Sequence, residues 1–390
     1  MEWVEKKSSE LYVSSSGLSK SSDQFGYGYP FLSYKDVFNN YYAPDKLSTL
    51  VNSTEKDRMK CSVKQGDVFL TRTSETTDEL GMSCVALHDY VNATFNGFTK
   101  RLRPLTDEIE PKYAAYYFRS PYFRSQCISL ASLITRASLN DGMIRRLKIR
   151  YPLNRKVQEK IGEILYTYDT LIENNNKRIR LLEKMAENLY KEWFVRFRFP
   201  GHENVEMENG LPKGWKVKKY EDEFNVKYGK ELPTDKLTKD GFPVFGSNGQ
   251  IGYYTSYMYE TPQILISCRG ASSGVVNISL PKSFITNNSL ICEMTNETES
   301  VFEYLKYCFL NTNLVQYQTG SAQPQITINN IVKLKLLIPS TDVQIKFADK
   351  VRTLDKEVGN LQHQNSLLAR QRDLLLPRLM SGKLEVKVKE

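Results

Sequence analysis

The chain has 390 residues, of which 40% are hydrophobic and 25% are charged, a composition that excludes a fibrous or disordered protein. No apolar stretch is long enough for a membrane helix, and "MEWVEKKSSE" lacks the apolar core of a signal peptide, so we expect a cytoplasmic protein. The formal net charge of +9 favours a polyanionic partner, although a solvated surface explains the same excess.

The cysteine and histidine content predicts that the chain holds no metal. Six cysteines are scattered without a C-x-x-C pair, and only three histidines accompany them. Metal sites built from these residue types need closely spaced ligands. We therefore expect reduced cysteines that pack as small apolar residues.

The length of the chain favours more than one domain. Along the chain, segments with a strand-like pattern alternate with segments with a helical pattern. Short β-branched runs such as "GDVFLTRT" and "ILISCRG" are separated by turn signals, and each set precedes a long helical pattern. A stretch rich in Gly, Pro and charge between the two halves is predicted to be a linker. The predicted segments are a first mixed domain (1–152), a central long helix (153–195), the linker (196–214), a second mixed domain (215–339), a C-terminal long helix (340–382) and a tail (383–390).

The second half of the chain repeats the plan of the first half. The junction "LKIRYPL" before the first long helix aligns with "LKLLIPS" before the second, and the helices align after one residue is dropped. One similarity at about half the chain length indicates an internal duplication, not a solenoid. The aligned pairs include Leu147 with Leu334, Pro152 with Pro339, Gln158 with Gln344, Asp169 with Asp355, Leu182 with Leu368, and Leu189 with Leu375.

Both helical segments carry a coiled-coil pattern, with apolar residues spaced alternately three and four apart. Each predicted helix has about 38 residues and is therefore about 57 Å long. A compact domain cannot bury so long a helix, so the two helices are predicted to pair with each other, antiparallel. The predicted seam consists of Ile161, Ile164, Tyr168, Leu171, Asn175, Leu182, Leu189, Phe347, Val351, Leu354, Val358, Leu361, Leu368 and Leu375.

Asn175 and Asn365 interrupt the two seams. One interpretation is a polar residue that is tolerated near a solvated edge. The other is a buried asparagine that fixes the register of the pair. The predicted fold class is α+β: two mixed α/β domains alternate with two long antiparallel coiled-coil helices, and an internal pseudo-two-fold repeat relates the halves.

The sequence lacks the motifs of a self-contained enzyme. It has no G-x-x-x-x-G-K-[ST], no H-E-x-x-H, no G-x-S-x-G and no Asn-Pro-Pro-Tyr tetrapeptide of the adenine-methyltransferase type. The three histidines, His88, His202 and His363, stand in different segments. We therefore predict that the chain catalyses nothing by itself, and no catalytic residue is assigned.

Several polar residues are candidates for DNA contacts. The stretch at 132–150 is basic, which suits phosphate binding, and arginine, asparagine and glutamine beside β-runs suit guanine and adenine edges. A solvated basic face and ordinary turn chemistry explain the same residues without DNA. The candidates are Arg72, Thr73, Lys100, Arg101, Arg136, Arg145, Arg146, Ser247, Asn248, Gln250, Arg269, Asn287 and Asn288.

The chain resembles the specificity subunits of type I restriction–modification systems over nearly its whole length. The likeness lies in "YPLNRKVQEKIGEIL", "LLEKMAENLYKEWFVRFRFPG", "LPKGWKVKKYEDEFNVKYGK", "FPVFGSNGQIGYY", "ILISCRGASSGVV" and "QRDLLLPRLMSGKLEV". The first domain matches less distinctively, through "YPFLSYKDV", "GDVFLTRTS" and "FNGFTKRLRP".

The resemblance implies that each mixed domain is a target-recognition domain for one half of a split, asymmetric sequence in double-stranded DNA. It also implies that the helix pair sets the spacer and docks two methyltransferase subunits, which carry S-adenosylmethionine and flip the target adenine. Motor–nuclease subunits would add ATP and magnesium, so that no cofactor binds to this chain.

Two other functions stay open on the residues alone. One is a self-sufficient DNA methyltransferase or nuclease whose motif is not recognisable, and the absent motifs argue against it. The other is a coiled-coil adaptor without a DNA role. The two diverged domains argue against the adaptor, because a scaffold has little use for different surfaces on matched supports.

Overall fold

The computed structural model describes residues 2–388 except 75, 77–78, 131, 134–136, 296–297, 299 and 321–323. The chain divides into two compact units. Unit 1 consists of Met1–Asn175 with His363–Glu390, and unit 2 consists of Asn176–Gln362. Both long helices contribute to both units, so the units do not follow the predicted segments, which kept each helix whole.

Within its described residues, unit 1 contains four small sheets and several short helices. Its strands are β1 (Trp3–Lys7), β2 (Tyr12–Ser16), β3 (Phe25–Leu32), β4 (Thr49–Val51), β5 (Val68–Thr71), β6 (Thr73–Ser74), β7 (Ser83–Val85), β8 (Thr94–Phe95), β9 (Thr99–Pro104), β10 (Ser132–Leu133), β11 (Ala137–Ser138) and β12 (Lys148–Pro152). Its helices are α1 (Ser8–Leu11), α2 (Tyr34–Asn39), α3 (Glu55–Lys60), α4 (Pro111–Tyr117), α5 (Pro121–Leu130), α6 (Asp141–Arg146) and the first part of α7 (Arg155–Tyr190).

The main sheet of unit 1 has the antiparallel order β2-β9-β5-β7. All four residues of β5 are buried, which explains why its apolar residues Val68, Phe69 and Leu70 follow one another without alternation. A second sheet has the order β4-β3-β8, with β3 parallel to β8. In addition, β1 pairs with β12, and β10, β11 and β6 form a small sheet.

Unit 2 repeats this arrangement. Its strands are β13 (Met207–Glu208), β14 (Leu211–Pro212), β15 (Lys216–Lys219), β16 (Phe224–Tyr228), β17 (Phe242–Gly246), β18 (Gly249–Tyr254), β19 (Ile264–Ser267), β20 (Val276–Ile278), β21 (Phe284–Ile285), β22 (Ser289–Met294) and β23 (Lys335–Ile338). Its helices are the rest of α7, which a π-helical turn (Lys191–Val195) continues, and α8 (Tyr220–Glu223), α9 (Phe302–Leu310), α10 (Ile328–Ile331) and part of α11 (Thr341–Met380).

The sheets of the two units correspond strand by strand. The order β16-β22-β19-β20 matches the main sheet of unit 1, and β18-β17-β21 matches its second sheet, including the parallel pair. The pairing of β15 with β23 likewise matches that of β1 with β12. The predicted fold class, two mixed domains with long helices in a pseudo-repeat, is therefore confirmed.

Two buried glutamines mark the same point of the repeat. Gln158 and Gln344 lie in the first turns of α7 and α11, and both side chains are fully buried. Each side-chain oxygen accepts a hydrogen bond from the backbone N–H that precedes the aromatic helix, α4 (2.9 Å) or α9 (2.8 Å). Each side-chain nitrogen donates to the carbonyl of the aligned proline, Pro152 (2.9 Å) or Pro339 (2.8 Å). The glutamine thus anchors the globular part of each unit to its long helix.

A second anchor joins the aromatic helices to the same long helices. The hydroxyl of Tyr116 donates to Asp169 in unit 1, and the hydroxyl of Tyr307 donates to Asp355 (2.8 Å) in unit 2. Burial, together with the neighbouring carboxylate, raises the pKa of both tyrosines, so that each stays a donor. The carboxylates are the two that the sequence alignment paired.

Within unit 1, α7 and α11 run antiparallel. Arg372 forms an ion pair with Asp169, and the Nδ2 of Asn175 donates to the Oδ1 of Asn365 (3.0 Å). In these contacts the residue numbers increase along α7 while they decrease along α11. Asn175 is only 8% exposed, so its amide is a buried contact of the pair and not a solvated edge.

Within unit 2, the two helices also run antiparallel. Arg178 Nη2 lies 2.9 Å from Glu357 Oε1, and further along the pair the rings of Trp193 and Phe347 lie 5.9 Å apart. The predicted antiparallel pairing therefore holds in each unit separately.

One residue of the predicted seam on α7, Leu171, is misplaced. Leu171 is 45% exposed, because the apolar residues one position later face the core. Ile164 is half-buried and packs against the core of unit 1. Positions three and four residues after Ile161 lie on the same side of the helix. Packing buries the residue at the fourth position more deeply than the residue at the third. The buried residues on that side are Leu165, Ile179 and Ala186.

The other predicted seam residues lie at buried or half-buried positions. Ile161, Phe347, Val351 and Leu361 are fully buried. Tyr168, Leu182, Leu189, Leu354, Val358, Leu368 and Leu375 are half-buried.

Candidate nucleic-acid interface

Polar residues of unit 2 gather at the end of β19, where several turns meet. The N–H of Cys268 donates to the carbonyl of Asn288 (3.0 Å), and the N–H of Asn287 donates to the carbonyl of Lys230 (3.0 Å). The hydroxyl of Ser267 donates to the carbonyl of Ser247. We call this cluster loop edge 2, and it comprises Lys230, Ser247, Asn248, Arg269, Asn287 and Asn288.

The corresponding edge of unit 1 lies at the end of β5. The N–H of Arg72 donates to the carbonyl of Phe98 (3.2 Å), and the N–H of Leu139 donates to the carbonyl of Arg72 (2.8 Å). The turn before β9 is held by the N–H of Asn96, which donates to the carbonyl of Leu32 (3.1 Å). We call this cluster loop edge 1, and it comprises Arg72, Thr73, Asn96, Gly97 and Phe98.

A glycine allows the same close approach of chains at both edges. A Cβ on Gly17 would lie 2.2 Å from the carbonyl oxygen of Asn96, and one on Gly229 would lie 2.2 Å from that of Thr286. No side chain fits at that distance. The scaffold beneath the two edges is therefore the same, whereas the side chains on them differ.

Most of the predicted contact residues of unit 2 come together at loop edge 2. Asn248, Arg269 and Asn288 are exposed, and Ser247 and Asn287 are half-buried. Gln250 is exposed on the adjoining strand β18. Arginine and amide side chains in this setting match the hydrogen-bonding edges of guanine and adenine.

The two predicted arginines occupy different positions of the repeat. Arg72 and Cys268 are equivalent, because each donates its N–H to the turn before the next strand and accepts from the incoming segment. Arg269 is therefore equivalent to Thr73, one residue further along. Arg72 is half-buried, and its Nε has no hydrogen-bond partner among the residues that the structure describes.

Lys100 and Arg101 were predicted to contact DNA, and the structure contradicts both. Lys100 is 4% exposed, and its ammonium lies 2.9 Å from a carboxylate oxygen of Asp141. Arg101 is 7% exposed and donates to the carbonyl of Ser62 (2.6 Å). Both cationic groups are used inside unit 1, where they bind neighbouring segments. The Lys100 ammonium holds the pKa of Asp141 below its usual range.

The basic stretch before β12 is only partly described. Arg136 lies outside the described residues. Arg145 and Arg146 are exposed in the last turn of α6, and the acidic residue of that helix, Asp141, is occupied by Lys100. The two arginines therefore present positive charge that suits phosphate contacts.

The sequence prediction missed two exposed residues of the loop edges. Phe98 is 57% exposed in loop edge 1, and Lys230 is exposed in loop edge 2. Each directly follows a glycine, Gly97 or Gly229. A glycine turn that ends in a large or charged side chain was the available signal.

The described part of the chain shows no metal cluster, disulfide or membrane-spanning helix. Its histidines, cysteines and carboxylates form no cluster that suits a metal ion. All six cysteines are free and buried. No helix in the described ranges is long and apolar enough to span a membrane.

Two matched scaffolds that carry different polar edges define a recognition protein with two binding faces. Residues 2–184 and 212–369 match the family model described as type I restriction modification DNA specificity domain. The chain therefore belongs to this family. The predicted function, a non-catalytic DNA specificity subunit of a type I restriction–modification system, is confirmed.

Individual relatives support this assignment. The type I restriction enzyme MjaIX specificity subunit of Methanocaldococcus jannaschii is 26% identical, over 99% of this chain and 94% of that protein. The HindI specificity subunit of Haemophilus influenzae is 21% identical, over 91% of this chain and 94% of that protein. The crystal structure of a type I S subunit from M. genitalium has the same fold, with a TM-score of 0.57 and 16% identity over 100% of this chain and 97% of that chain.

Proposed function

We propose that this specificity subunit reads a bipartite, asymmetric DNA target, with one half at loop edge 1 and the other half at loop edge 2. The long helices α7 and α11 set the unread spacer between the halves. The observation that carries this proposal is that the two units share the same glutamine anchor but carry different side chains at their loop edges. Gln158 and Gln344 make the same hydrogen bonds in their own units, whereas the position that Arg72 occupies in unit 1 is occupied by Cys268 in unit 2.

The side chains at the edges suit the two tasks of DNA recognition. Arg269, Asn248 and Asn288 are exposed, and bidentate contacts of such side chains to bases are worth about 1–3 kcal/mol each in discrimination. Lys230 and the arginines of α6 suit phosphate contacts, which orient a protein on the duplex without reading it.

The helix pair suits a spacer because its register is specified by a polar contact. Asn175 is buried and bonded to Asn365, and a seam asparagine of this kind disfavours slipped pairings. A fixed register requires a spacer of constant length between the two half-sites, since a helical duplex couples distance to rotation.

We further propose that α7 and α11 dock two methyltransferase subunits, one for each half of the repeat. These partners supply S-adenosylmethionine and the chemistry on the flipped adenine. Motor subunits that use ATP and magnesium complete a restriction complex. The anchors that recur in both units support two equivalent docking sites.

The test is a genome-wide map of adenine methylation by long-read sequencing, in the source strain and in a strain that lacks this chain. We expect a split motif with a constant spacer to disappear on deletion. Loss of a continuous motif would contradict the two-part target. Methylation by the purified chain with S-adenosylmethionine alone would favour the self-sufficient enzyme instead.

A further inference from the structure

The main sheet of unit 2 ends in an open edge at β20. The backbones of Val275 and Ser279 bond to β19 and the residue before it (N to O 2.9 Å in each case). In an antiparallel pair such positions alternate with positions that face away, so the backbones of Val276 and Ile278 point outward. Within the described part of the chain, no hydrogen bond joins them to another segment.

The equivalent edge of unit 1 is closed by the chain itself. Val85 takes the place of Ile278, because it pairs with the first residue of β5 as Ile278 pairs with the first residue of β19. The N–H of Val85 donates to the carbonyl of Tyr41 (3.0 Å), and the N–H of Ala43 donates to the carbonyl of Val85 (2.9 Å). The segment at 41–43 therefore adds to β7 in parallel.

An arginine secures that closure in unit 1 and has no counterpart in unit 2. The guanidinium of Arg119 donates to the carbonyl of Ser83 (2.6 Å) on β7 and to that of Asn40 (2.9 Å) in the added segment. The equivalent residue of unit 2 is Leu310, which follows Tyr307 at the same spacing as Arg119 follows Tyr116. Leu310 is the last residue of α9 and is 45% exposed. Among the described residues of unit 2, neither a covering segment nor a side chain that would hold it is present at this edge.

A groove of about 950 Å³ lies beside the open edge, between β20, α9 and α11. Its apolar lining includes Ile278, Leu280, Leu310 and Val358, and Tyr307 forms part of its wall. In unit 1 the residue equivalent to Tyr307 is covered by two rings of the added segment, with centroid distances of 4.9 and 5.7 Å. The groove is therefore shaped for an extended chain that carries an aromatic side chain.

We propose that this groove receives an extended segment of a methyltransferase subunit, which adds as a strand parallel to β20 and places an aromatic side chain on Tyr307. The inference rests on the proposed function, which supplies that partner and gives α11, one wall of the groove, to it. Strand addition to an open edge is a common mode of peptide binding.

Charge and pairing favour a protein strand over the other occupants. Four carboxylates, those of Glu183, Glu187, Glu303 and Asp355, line the groove with two cations, Lys306 and Arg352, which disfavours a nucleic-acid backbone. A second copy of the chain keeps its own segment at 41–43 paired with its own β7. A partner's free segment meets neither obstacle.

Hydrogen exchange of the amides of β20 tests the proposal in the chain with and without its methyltransferase subunit. We expect the amides of Val276 and Ile278 to exchange rapidly in the free chain and at least about tenfold more slowly in the complex. The amide of Val85 is the control, because its bond to Tyr41 protects it in both states. Protection that arises with DNA alone, or with rising concentration of the chain alone, would overturn the inference.

The same experiment separates this inference from the proposed function. If the two proteins co-elute and β20 stays unprotected, the strand addition is wrong and the partnership stands. If they do not co-elute, both are wrong.

A substitution at the groove gives an independent measurement. Leu310→Glu places a carboxylate in the groove, where it cannot donate to the carbonyls of an added strand as Arg119 does in unit 1, so we expect at least about tenfold weaker binding of the methyltransferase subunit. Leu105→Glu, at a site that is 58% exposed in unit 1, is the matched control and should bind as the unchanged chain does. Equal affinities for the two variants would overturn the proposal.

Discussion

Arg269 shows what one side chain at a loop edge is expected to do. It is exposed, and its neighbours Asn248 and Asn288 are exposed beside it. The backbone around it is fixed by the bonds of Cys268 to the adjoining turns. Such a side chain is free to contact a ligand while its position is held by the scaffold.

Replacing Arg269 by alanine is expected to weaken binding of the cognate DNA by about 1–3 kcal/mol and to relax the sequence requirement at one position of one half-site. Binding assays with the complex, at fixed salt and with each base substituted in turn, measure both effects. Arg198→Ala, at an exposed arginine outside loop edge 2, is the control. A uniform loss over all sequences would show that Arg269 contacts phosphate and not a base.

Lys100 and Arg101 show why residue type alone misleads at this scale. They stand in a basic stretch next to a turn, as a DNA-contacting residue would. Yet β9 lies between β2 and β5, and this neighbourhood buries both side chains against Asp141 and Ser62. The carbonyl and carboxylate that bind them come from segments that are distant in sequence.

At the scale of the element, a hydrogen bond from the buried amide of Asn175 to Asn365 joins the helix pair. Asn175→Leu is expected to lower the free energy of unfolding by about 1 kcal/mol, because the hydrogen bond that Asn175 donates to Asn365 is lost. The double variant Asn175→Leu/Asn365→Leu is expected to recover most of that loss. Chemical denaturation of the four proteins in a double-mutant cycle measures the coupling.

The neighbouring Asn174 supplies the control for this cycle. It is exposed, so Asn174→Leu should change stability little. If the double variant costs the sum of the two single variants, the amide contact does not stabilise the pair.

The seam of α7 marks the limit of periodicity at this scale. Ile164 and Leu165 are both apolar, and so are Leu171 and Ile172. Either residue of each pair continues a coiled-coil pattern. Contact with the core of unit 1 decides how far each residue is buried: Leu165 is fully buried there, whereas Ile164 packs against the same core and stays half-buried.

At the scale of the whole molecule, the anchors explain how one helix frame can carry different recognition domains. Gln158 binds only backbone atoms, at 108, 110 and 152. A hydrogen bond to a backbone atom can form whatever side chains the domain carries, because every residue has the same backbone acceptor. The hydroxyl of Tyr116 donates to Asp169 of α7, so a hybrid needs a tyrosine at this position to keep that bond.

Exchange of residues 1–152 for the first domain of another specificity subunit, with a tyrosine retained at position 116, is expected to change only one half of the methylated motif. Methylation mapping in a host that expresses the hybrid with its partners measures the outcome. A companion hybrid that exchanges residues 215–339 should change the other half. A change in both halves from one exchange would contradict two independent readers.

The sequence by itself determined the duplication, the two long helices, the absence of familiar catalytic motifs and the family resemblance. Each of these is a pattern along the chain, and residue spacing and motifs can be identified without knowledge of the tertiary contacts. Even the aligned pairs Gln158 with Gln344 and Asp169 with Asp355 were visible, although their partners were not.

Only the tertiary structure decided which polar residues reach a surface and which edges stay open. Loop edge 2 is assembled from four turns spread over about sixty residues, and Tyr41 closes the edge strand of unit 1 while β20 of unit 2 has no such cover among the described residues. Burial and hydrogen-bond partners are set by segments that meet across the fold. The spacing of residues along the chain does not show which distant segments contact each other.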